Sequence, residues 1–544
     1  MSQWGDIYPG VRMSIRTWMS SLFLVASILA LPSYAESNNN RLIVRFKEGI
    51  SSFAASTIHK SLGLRSQKRL QHLGAVEIVE LPKNMSLSAA QKLYVKNPQV
   101  LYAEPDFTIR VNPIRSTLLH KKDEQYSQQW ALNNIGQKVG KIDGKVDADI
   151  NAPEAWNVTK GDRDVVLGII DTGILYTHPD LVDNVWTNAG EIPGNNKDDD
   201  GDGYIDDVHG INAMDKTGDP LDDNGHGTHC SGIMGGTNTK GQGIFGVNQK
   251  VSIVGCKFLD SDGSGNMSDA LVCMDYFTKL KTRTDNPVNL VAINASWGGR
   301  SSSKAMQDAI KVLGDNGILF VAAAGNDTED NDKKASFPAN FKLANIISVA
   351  ATNNRDELSS FSNFGNKSVH VAAPGEDILS TYLDNGYETL SGTSMATPHA
   401  TGLIGLLKAK DPSLTPIQLK NLVMAGGTSL NILSGKVISS RRIRAADKDG
   451  KGSLTCSNQR THVRISPETS VVSAKVGEIV DFAVMNIKCG APDGAPRMAV
   501  SMGHSVDLLD VDEDGVYSAQ WTPDSPGSYD FDLGDGETVT VNVE

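Results

Sequence analysis

The spacing of apolar and polar residues divides the chain into blocks that predict different structures. Between residues 41 and 111 it predicts strands and helices in alternation. The predicted strands are 42–46, 75–81 and 101–111, and the predicted helices are 53–62 and 88–95. Two helices packed on a small sheet form a compact α+β unit. The polar, charged segment at 112–130 is typical of a linker.

A longer α/β alternation extends from about residue 130 to residue 446. Buried strands are predicted where apolar residues follow one another without interruption, at 165–170, 251–254, 290–293, 318–323 and 346–350. Strands that are apolar on both faces and separated by helical sequence indicate a parallel sheet covered by helices on both sides. Because ligands of such sheets bind at the carboxyl ends of the strands, the polar residues after these runs are candidate site residues.

The last block follows a segment at 447–453 with the composition of a flexible linker. Within residues 454–544, short strands separated by turn residues are predicted at 471–476, 479–484, 516–521, 529–533 and 538–543. This spacing predicts a small all-β, immunoglobulin-like sandwich. Nothing in its sequence indicates a particular ligand.

The N-terminal residues have the pattern of a targeting signal. Arg12 and Arg16 precede an apolar run at 19–31, and the small residues Ser33 and Ala35 follow at the positions that a signal peptidase reads. The run is shorter than the roughly 20 residues of a membrane-spanning helix, and no later run is long enough either. We therefore expect residues 1–35 to be a cleaved signal peptide, and the mature protein to be exported, soluble and without a membrane span.

Composition narrows the set of partners. With 51 Lys and Arg against 64 Asp and Glu, the formal net charge is −13, which disfavours nucleic acid because phosphate binding needs a cationic surface. Export permits disulfides, and an odd total of 5 cysteines leaves at least one thiol unpaired. We expect Cys456 to pair with Cys489 in the C-terminal block, and Cys256 with Cys273 is a second candidate pair.

Three polar segments follow predicted strands or open predicted helices. Asp171 comes directly after a buried run, His226 lies between glycines at the start of a helix, and Ser394 opens a helix whose N-terminus offers backbone donors. Singly, each has a structural explanation as a turn residue, a tight turn or an N-cap. Together on one sheet, in the order Asp, His, Ser, they predict a catalytic triad. Spacing alone does not separate His226 from His229 as the base.

These segments resemble the three active-site motifs of the subtilisin-like serine proteases, and the resemblance covers about residues 127–446. The matching segments are 171–173, 226–229 and 392–398. The resemblance implies that Ser394 attacks the scissile carbonyl, that His226 transfers the proton, and that Asp171 orients the imidazole.

Further positions match the family around this triad. Asn326 follows a buried strand and resembles the residue whose side-chain amide binds the oxyanion, together with the Ser394 backbone N–H. Cys230 matches members of the family, proteinase K-like ones among them, that carry a cysteine one turn after the base. We therefore expect it to be the unpaired cysteine, with its thiol beneath the imidazole. Three histidines match positions that are not catalytic, namely His178, His229 and His399.

Two short segments resemble the edge strands of the family's substrate cleft. Ser264 and Gly265 form one, and Ser296, Trp297 and Gly298 form the other. The resemblance implies that an extended peptide pairs with them as an added strand, and glycines there let its backbone approach. Because Trp297 replaces a commoner aliphatic residue, the shape of the primary specificity pocket is left open.

A run of carboxylates predicts a calcium site. Its spaced members are Asp198, Asp200 and Asp202. They precede a glycine as in an EF-hand loop, but the twelfth position is His209 and not Glu, so we expect a calcium loop without EF-hand helices. Asp180 resembles a calcium ligand of the family. The similar spacing at 510–515 lies between predicted strands, where a hairpin turn is expected.

The resemblance also covers the first block, whose segment 102–106 matches the last strand of the family's inhibitory propeptide. It implies that this block helps the protease to fold and then occupies its cleft. With the patterns above, the chain is expected to consist of a signal peptide (1–35), an inhibitory propeptide (36–113), a catalytic domain (123–447) and a C-terminal sandwich (454–544), with cleavage between 113 and 122. We expect a secreted, monomeric, calcium-stabilised serine endopeptidase that acts on proteins or peptides and processes its own zymogen. The alternatives are a selective processing protease and a non-catalytic binding protein on the same scaffold.

Overall fold

The computed structural model describes most of the chain after residue 39. The described residues are 40–111, 113–115, 125–140, 142–239, 241–446, 452–456, 460–466, 470–488, 497–500, 504–509, 516–532 and 538–544. The expected signal peptide, the expected hairpin at 510–515 and Cys489 lie outside these residues.

The N-terminal domain (residues 40–111) packs two helices on a small antiparallel sheet. It contains β1 (Arg41–Phe46), α1 (Ser52–Ser61), β2 (Arg65–Leu70), β3 (Val76–Glu80), α2 (Leu87–Val95), β4 (Val100–Pro105) and β5 (Thr108–Arg110), and the next strand along the chain is β6 (Ile114–Arg115). The sheet order is β2-β3-β1-β4. Ser51 and Ser86 cap the two helices by accepting hydrogen bonds from the backbone N–H of Ala54 and Ala89. Strand β2 was not predicted, because an edge strand with the sequence RSQKRL has no apolar alternation.

The central domain (residues 125–446) contains the long α/β alternation. Its helices are α3 (Gln125–Gln128), α4 (Ala152–Trp156), α5 (His226–Gly235), α6 (Met267–Thr282), α7 (Lys304–Asp315), α8 (Thr393–Lys410) and α9 (Pro416–Ala425). Its strands are β7 (Lys138–Val139), β8 (Ile142–Asp143), β9 (Gly161–Asp171), β10 (Gly210–Asn212), β11 (Lys250–Lys257), β12 (Ser264–Asn266), β13 (Leu290–Ala295), β14 (Leu319–Ala323), β15 (Ile346–Thr352), β16 (Val371–Pro374), β17 (Ile378–Thr381), β18 (Tyr387–Ser391), β19 (Thr428–Ser429) and β20 (Arg441–Arg442).

Nine of these strands form one sheet, in the order β10-β11-β9-β13-β14-β15-β16-β20-β19. Every pair is parallel except β19 with β20. Successive residues of β9 enter two different cores: Leu167 and Ile169 pack with residues of α5, α8 and α9, whereas Val166 and Ile170 pack with residues of α6 and α7. The predicted fold class, a parallel sheet covered by helices on both sides, is confirmed.

The strand order places a crevice at the carboxyl end of β9. From β9 the chain continues to β10 and β11 on one side and then crosses to β13 on the other. In open α/β sheets, ligands bind where the direction of the connections reverses in this way. A ligand-binding or active site is therefore expected at the carboxyl ends of β9, β11, β13 and β14.

The C-terminal domain (residues 460–544) is built from strands alone among its described residues. They are β21 (Arg460–Ser466), β22 (Val471–Ala474), β23 (Val480–Lys488), β24 (Arg497–Val500), β25 (His504–Asp507), β26 (Val516–Trp521), β27 (Gly527–Asp532) and β28 (Thr538–Val543). They form a three-stranded and a five-stranded sheet. Phe482 and Phe531 pack between the sheets with ring centroids 4.4 Å apart.

Cysteine pairing follows the sequence expectation where the residues are described. Cys256 and Cys273 form a disulfide that joins β11 to α6, and Cys230 is a free, buried thiol. Cys456 is disulfide-bonded, and its expected partner lies outside the described residues. Within the described part of the chain, no helix combines enough length with enough apolar character to span a bilayer.

Candidate active site

A buried carboxylate–imidazole pair lies at the carboxyl end of β9. Asp171 ends β9 and His226 begins α5, and His226 Nδ1 lies 2.7 Å from Asp171 Oδ1. The chain enters α5 through Gly225 with φ 102°, where a Cβ would lie 2.5 Å from the ring of Tyr382, so only glycine fits this turn. Asp171 is 0% and His226 1% exposed, which strengthens their interaction because water does not compete for it.

Ser394 lies at the start of α8, in contact with the ends of two neighbouring elements. Its hydroxyl donates to the carbonyl oxygen of Ser296 at 2.9 Å, and the hydroxyl of Ser296 donates to the carbonyl oxygen of Ser394 at 2.8 Å. The Cys230 thiol donates to the same Ser394 carbonyl at 3.5 Å. His226 Nε2 is buried without a hydrogen-bond partner in the described structure. In this conformation the serine hydroxyl therefore does not engage the imidazole, as is common in enzymes without bound substrate.

A buried lysine connects the segments that carry Asp171 and His226. Lys257 ends β11 and is the register partner of Asp171 in β9. Its Nζ donates to the Thr172 carbonyl at 2.8 Å, to the Leu259 carbonyl at 2.6 Å and to Asp223 Oδ1 at 2.6 Å. One cation thus fixes the residues that follow β9, those that follow β11, and the turn before α5. Lys257 was not predicted as a site residue, because the side chain of a lysine after an apolar run usually ends in solvent.

Asn326 follows β14 and is held beside the start of α8. Its Oδ1 accepts hydrogen bonds from the Thr393 backbone N–H at 2.8 Å and the Thr393 hydroxyl at 2.9 Å. The preceding Gly325 has φ 113°, and a Cβ there would lie 2.4 Å from Asn363 Nδ2. The Nδ2 of Asn326 has no hydrogen bond to any other described residue. Its amide N–H groups are therefore free to bind an anion next to Ser394.

The other histidines near this centre are buried and held by carbonyl groups. His229 Nε2 lies 3.0 Å from the Ile378 carbonyl oxygen, and burial lowers its pKa to about 3. His399 Nδ1 lies 2.9 Å from the Met395 carbonyl oxygen, and burial lowers its pKa to about 4. Burial also lowers the pKa of His178, which contacts the Gly386 carbonyl. These rings are neutral near pH 7 and serve as hydrogen-bond donors.

The two candidate substrate edges flank a strand of the chain itself. β5 pairs antiparallel with β12, with Arg110 opposite Ser264 and Ile109 opposite Gly265. On its other side, Arg110 forms an antiparallel bridge with Gly298. A Cβ at Gly265 would lie 1.9 Å from the Phe258 carbonyl oxygen, so no side chain is tolerated there. An extended segment of the N-terminal domain thus fills the place that sequence analysis gave to substrate.

Trp297 lies in the interior beneath this cleft. Its Nε1 donates to the Ile170 carbonyl at 2.7 Å, and its ring packs edge-on against Phe258 and Phe320, with centroids 5.0 and 6.2 Å away. Its side chain is therefore a core element, and it belongs to the same apolar cluster as Ile109.

A second polar cluster lies in the loop between β9 and β10. Five carboxylates form two groups that share Asp200. One group is Glu191, Asp198 and Asp200, and the other is Asp200, Asp202 and Asp207. Within each group, one carboxylate oxygen of every residue lies within 4.8 Å of the others. Burial, reinforced by neighbouring carboxylates, raises the pKa of Asp202 to about 6 and that of Asp207 to about 8. Glu191 and Asp207 lie outside the spaced run and were not predicted.

The chemistry of this cluster fits a calcium ion. Asp202 Oδ2 is buried and has no hydrogen-bond partner within the described residues. Asp198 accepts hydrogen bonds from the backbone N–H groups of Asp202 and Gly203 at 2.9 and 2.8 Å, which folds the run into a tight loop. Carboxylate oxygens at this density are the ligands that calcium prefers. The guanidinium of Arg283 lies 3.1 Å from Asp200 and offsets part of the negative charge.

Asp180, the fourth residue that sequence analysis proposed for metal, lies apart from this cluster. Its carboxylate accepts hydrogen bonds from the Ile244 N–H at 2.9 Å, the Thr239 N–H at 3.2 Å and the Tyr387 hydroxyl at 2.8 Å. Those donors occupy both of its oxygens. The structure therefore joins Asp198, Asp200 and Asp202, but not Asp180.

These features are typical of one class of protein, the α/β serine hydrolases whose residues follow in the order Asp, His, Ser. They are the parallel sheet, the buried aspartate–histidine pair and the serine at a helix N-terminus. The chain belongs to the subtilase family of serine endopeptidases, since residues 162–440 match the Subtilase family. Residues 31–106 match the Fervidolysin N-terminal prodomain. The expected family membership is confirmed.

Three relatives illustrate the similarity. Minor extracellular protease Epr of Bacillus subtilis (strain 168) is 35% identical over 368 residues, which cover 66% of this chain and 48% of that protein. Thermitase of Thermoactinomyces vulgaris is 35% identical over 269 residues, 49% of this chain and 83% of that protein. The thermophilic serine proteinase of Bacillus sp. (strain AK1) is 31% identical over 382 residues, which cover 68% of this chain and 78% of that protein. The chain spans about half the length of several other relatives, such as Subtilisin-like protease 1 of Plasmodium vivax, at 50%.

Proposed function

We propose that this chain is a serine endopeptidase that is synthesised as an inhibited zymogen. The observation that carries the proposal is the buried Asp171–His226 pair, at 2.7 Å, whose helix α5 contacts Ser394 at the start of α8 through the Cys230 thiol. In the proposed reaction the Ser394 oxygen bonds to the scissile carbonyl carbon while His226 Nε2 takes its proton. The carbon–nitrogen bond then breaks as that proton passes to the leaving amine, and water hydrolyses the acyl-enzyme.

Asp171 and Asn326 support this reaction in different ways. Asp171 keeps the proton of His226 on Nδ1, which leaves Nε2 free to act as the base, and it stabilises the imidazolium that forms. Asn326 Nδ2 and the Ser394 N–H are proposed to bind the carbonyl oxygen as it becomes an oxyanion. Loss of one such donor costs about 10²–10³ in turnover, a magnitude measured in a subtilisin.

The test compares the full chain with its Ser394→Ala variant. We expect the wild type to hydrolyse an unfolded protein and to release its N-terminal domain, whereas Ser394→Ala keeps full length and has no activity. Asn326→Ala is expected to process slowly with turnover reduced about 10²-fold or more. Ser302→Ala, at an exposed serine of the central domain, is the matched control and should behave as wild type. An active Ser394→Ala variant would refute the proposal.

The N-terminal domain is proposed to be the enzyme's own inhibitor. Its strand β5 occupies the cleft between β12 and Gly298, so a protein substrate in extended form would compete with it for the same edges. A peptide-library digest of the processed enzyme separates a broadly acting endopeptidase from a selective processing protease. Cleavage of many sequences supports the first, and a single narrow motif supports the second.

Export of a monomeric enzyme completes the proposal. It is supported by the signal-like pattern of residues 1–35 and by the name of one relative, an extracellular protease. We expect the processed protein to appear in the culture medium and to elute from a sizing column as one copy. Retention inside the cell of a chain whose apolar run at 19–31 is intact would contradict export.

Calcium is proposed to bind the loop between β9 and β10. The proposed ligands are Glu191, Asp198, Asp200, Asp202 and Asp207. The ion would neutralise their mutual repulsion and so rigidify the loop. In the Ser394→Ala background, which avoids self-digestion, calcium should raise the melting temperature and chelation should lower it. Asp202→Asn is expected to abolish most of that response, while Asp180→Asn should retain it. Equal responses of all three chains would exclude this site.

A further inference from the structure

The ammonium group of Lys257 is buried where β9 and β11 end. Its side chain is 6% exposed, and its N–H groups have three acceptors, the carbonyls of Thr172 and Leu259 and the carboxylate of Asp223. Only Asp223 is charged, and its side chain is 54% exposed, so water screens the ion pair. Because desolvation of an ammonium offsets much of what such contacts gain, stability alone is a weak explanation for a cation at this place.

The contact with Thr172 bears on the proposed catalytic carboxylate. The Thr172 N–H donates to Asp171 Oδ1 at 2.7 Å, and the Thr172 hydroxyl accepts from the Gly227 N–H at 2.9 Å. One residue therefore binds both the Asp171 side chain and the first turn of α5, next to His226. Lys257 fixes the carbonyl of that residue, so without the ammonium Asp171 and α5 could shift relative to each other.

The contact with Leu259 closes a ring around the backbone of Asp171. The N–H groups of Phe258 and Leu259 donate to the Asp171 carbonyl at 2.9 and 3.3 Å. Lys257, the register partner of Asp171, binds the Leu259 carbonyl through its ammonium. The carbonyls of Asp171 and of Thr172 are thus both held from the end of β11, which fixes the backbone from which the Asp171 carboxylate projects.

The contact with Asp223 reaches the turn from which His226 projects. The His226 N–H donates to Asn224 Oδ1 at 3.1 Å, and Asn224 follows Asp223 directly. Lys257 ties this turn to β11. The ammonium therefore has one contact on the Asp171 side of the buried pair, one on its own segment and one on the His226 side.

We propose that Lys257 is a positioning residue of the proposed triad, which holds Asp171 and His226 in the relative position that proton transfer requires. The inference rests on the proposed function. The reaction needs His226 Nε2 to reach the Ser394 hydroxyl, and a displacement of about 1 Å in such a geometry can lower the rate about 10²-fold. The acceptors of Lys257 are not among the proposed substrate edges, so its loss should lower turnover and leave substrate binding unchanged.

Lys257→Met is the first test, because methionine keeps the length of the side chain and offers no donor. We expect kcat of the processed enzyme for a peptide substrate to fall about 10-fold to 10²-fold, with KM within about twofold of the wild-type value. A fluorophosphonate that labels Ser394 without filling the cleft should react more slowly by the same factor. The final amount of label counts the active sites, so misfolded protein does not enter kcat. Lys160→Met, at an exposed lysine of the central domain, is the matched control and should behave as wild type.

Asp223 provides a second test that leaves the interior unchanged. Asp223→Ala removes one acceptor of the ammonium and is expected to lower kcat about threefold to tenfold. Asp223→Asn keeps an acceptor oxygen and should retain the wild-type kcat. In the Lys257→Met background, Asp223→Ala should lower kcat no further, because the contact is already lost.

A Lys257→Met enzyme whose kcat lies within about twofold of wild type would overturn the inference, as would a change confined to KM. If that variant does not fold, equal kcat values for wild type, Asp223→Ala and Asp223→Asn would overturn it. Hydrolysis of an unrelated unfolded protein by the wild type, absent from Ser394→Ala, reports the proposed function separately. If that hydrolysis occurs and the variants match wild type, only the inference fails. If the wild type does not hydrolyse it, the proposed function fails.

Discussion

The N-terminal and C-terminal domains are both small units with cores of their own, yet they contact the central domain through different chemistry. The N-terminal domain packs apolar side chains, among them Ile43, Ile78 and Ile109, into a core cluster of the central domain, and it adds carboxylates that bind the ends of two helices. The C-terminal domain places an apolar side chain, Met485, into the core cluster of the central domain. Contacts made by carboxylates depend on direction and protonation, whereas contacts between apolar side chains do not.

Two acidic residues at the end of β4 and just beyond it carry the polar contact. Asp106 accepts hydrogen bonds from the N–H and the hydroxyl of Ser268 at 2.8 and 2.7 Å, at the start of α6. Glu104 accepts from the Ser303 hydroxyl and from the N–H groups of Lys304 and Ala305 at 3.0 and 3.1 Å, at the start of α7. Each carboxylate satisfies N–H groups that a helix leaves unpaired and faces the positive end of its dipole.

The apolar contact of the C-terminal domain has no such requirements. Met485 is buried beside residues of α9, and Val516 of the same domain packs against that cluster. Burial of a methionine is insensitive to pH and tolerates small displacements. The comparison indicates that the N-terminal domain has a titratable polar contact in addition to its apolar one, whereas the C-terminal domain contributes an apolar side chain.

The largest expected effect is the loss of the Asp106 carboxylate. Asp106→Ala leaves the buried N–H and hydroxyl of Ser268 without their acceptor, while Arg41 keeps Asp269 at 3.7 Å as a partner. Loss of two hydrogen bonds to a carboxylate costs about 1.5–3 kcal/mol each, so inhibition by the separately added N-terminal domain should weaken about 10²-fold or more. The measurement is the inhibition constant against processed enzyme. Glu48→Ala, at an exposed carboxylate of the same domain, should change nothing; equal constants for both variants would remove the basis of the comparison.

A smaller effect is expected from the C-terminal contact. Met485→Ala creates a cavity beneath α9 and should lower the free energy of unfolding by about 2 kcal/mol or more. Because Met485 is not one of the proposed catalytic or substrate-binding residues, the specificity constant for a peptide substrate should stay at the wild-type value. Calorimetry together with steady-state kinetics checks both statements. Val471→Ala, at an exposed valine, serves as the control. A fall in turnover without a fall in melting temperature would give the C-terminal domain a catalytic role instead.

Much of the central domain was predictable because each signal is local in the sequence. A buried parallel strand is a continuous apolar run, and all five predicted runs are strands of the one large sheet. Asp171, His226 and Ser394 could be proposed from the sequence because each lies within a distinctive short motif. Short strands such as β10 and β6, the latter within the expected linker, carry no apolar pattern of their own, since their partners alone define them.

What could not be predicted depends on contacts between distant segments. The role of Lys257 arises because β11 lies next to β9, which brings its Nζ to Thr172, 85 positions away. Glu191 and Asp207 join the spaced aspartates only after the loop folds back on itself. The resemblance implied that the first block occupies the cleft, but the pairing of Arg110 with Ser264 and Gly298 depends on how the whole domain docks. In each case the sequence shows the residue type, but not the distant residue that it contacts in the folded protein.

The smallest expected effect is a pH dependence that separates the two kinds of contact. Burial raises the pKa of Asp106 to about 6 in the complex, against 3.8 as the ordinary value. The complex therefore binds a proton that the free domain does not hold between these values, so association tightens as the pH falls and weakens as it rises toward 6. From pH 7 to pH 5 the change should be about tenfold.

Asp106→Asn tests this dependence, because the amide keeps the size of the side chain and cannot titrate. The inhibition constant of the variant should change about tenfold less than that of the wild type between pH 7 and pH 5. Glu104 and Asp269, whose pKa values burial also raises, remain in both chains and contribute equally, so the difference between the chains reports Asp106. The loss of melting temperature caused by Met485→Ala should be the same at pH 7 and at pH 5, because burial of a methionine does not depend on pH. Parallel pH profiles for wild type and Asp106→Asn would mean that association of the N-terminal domain is not linked to the protonation of this carboxylate.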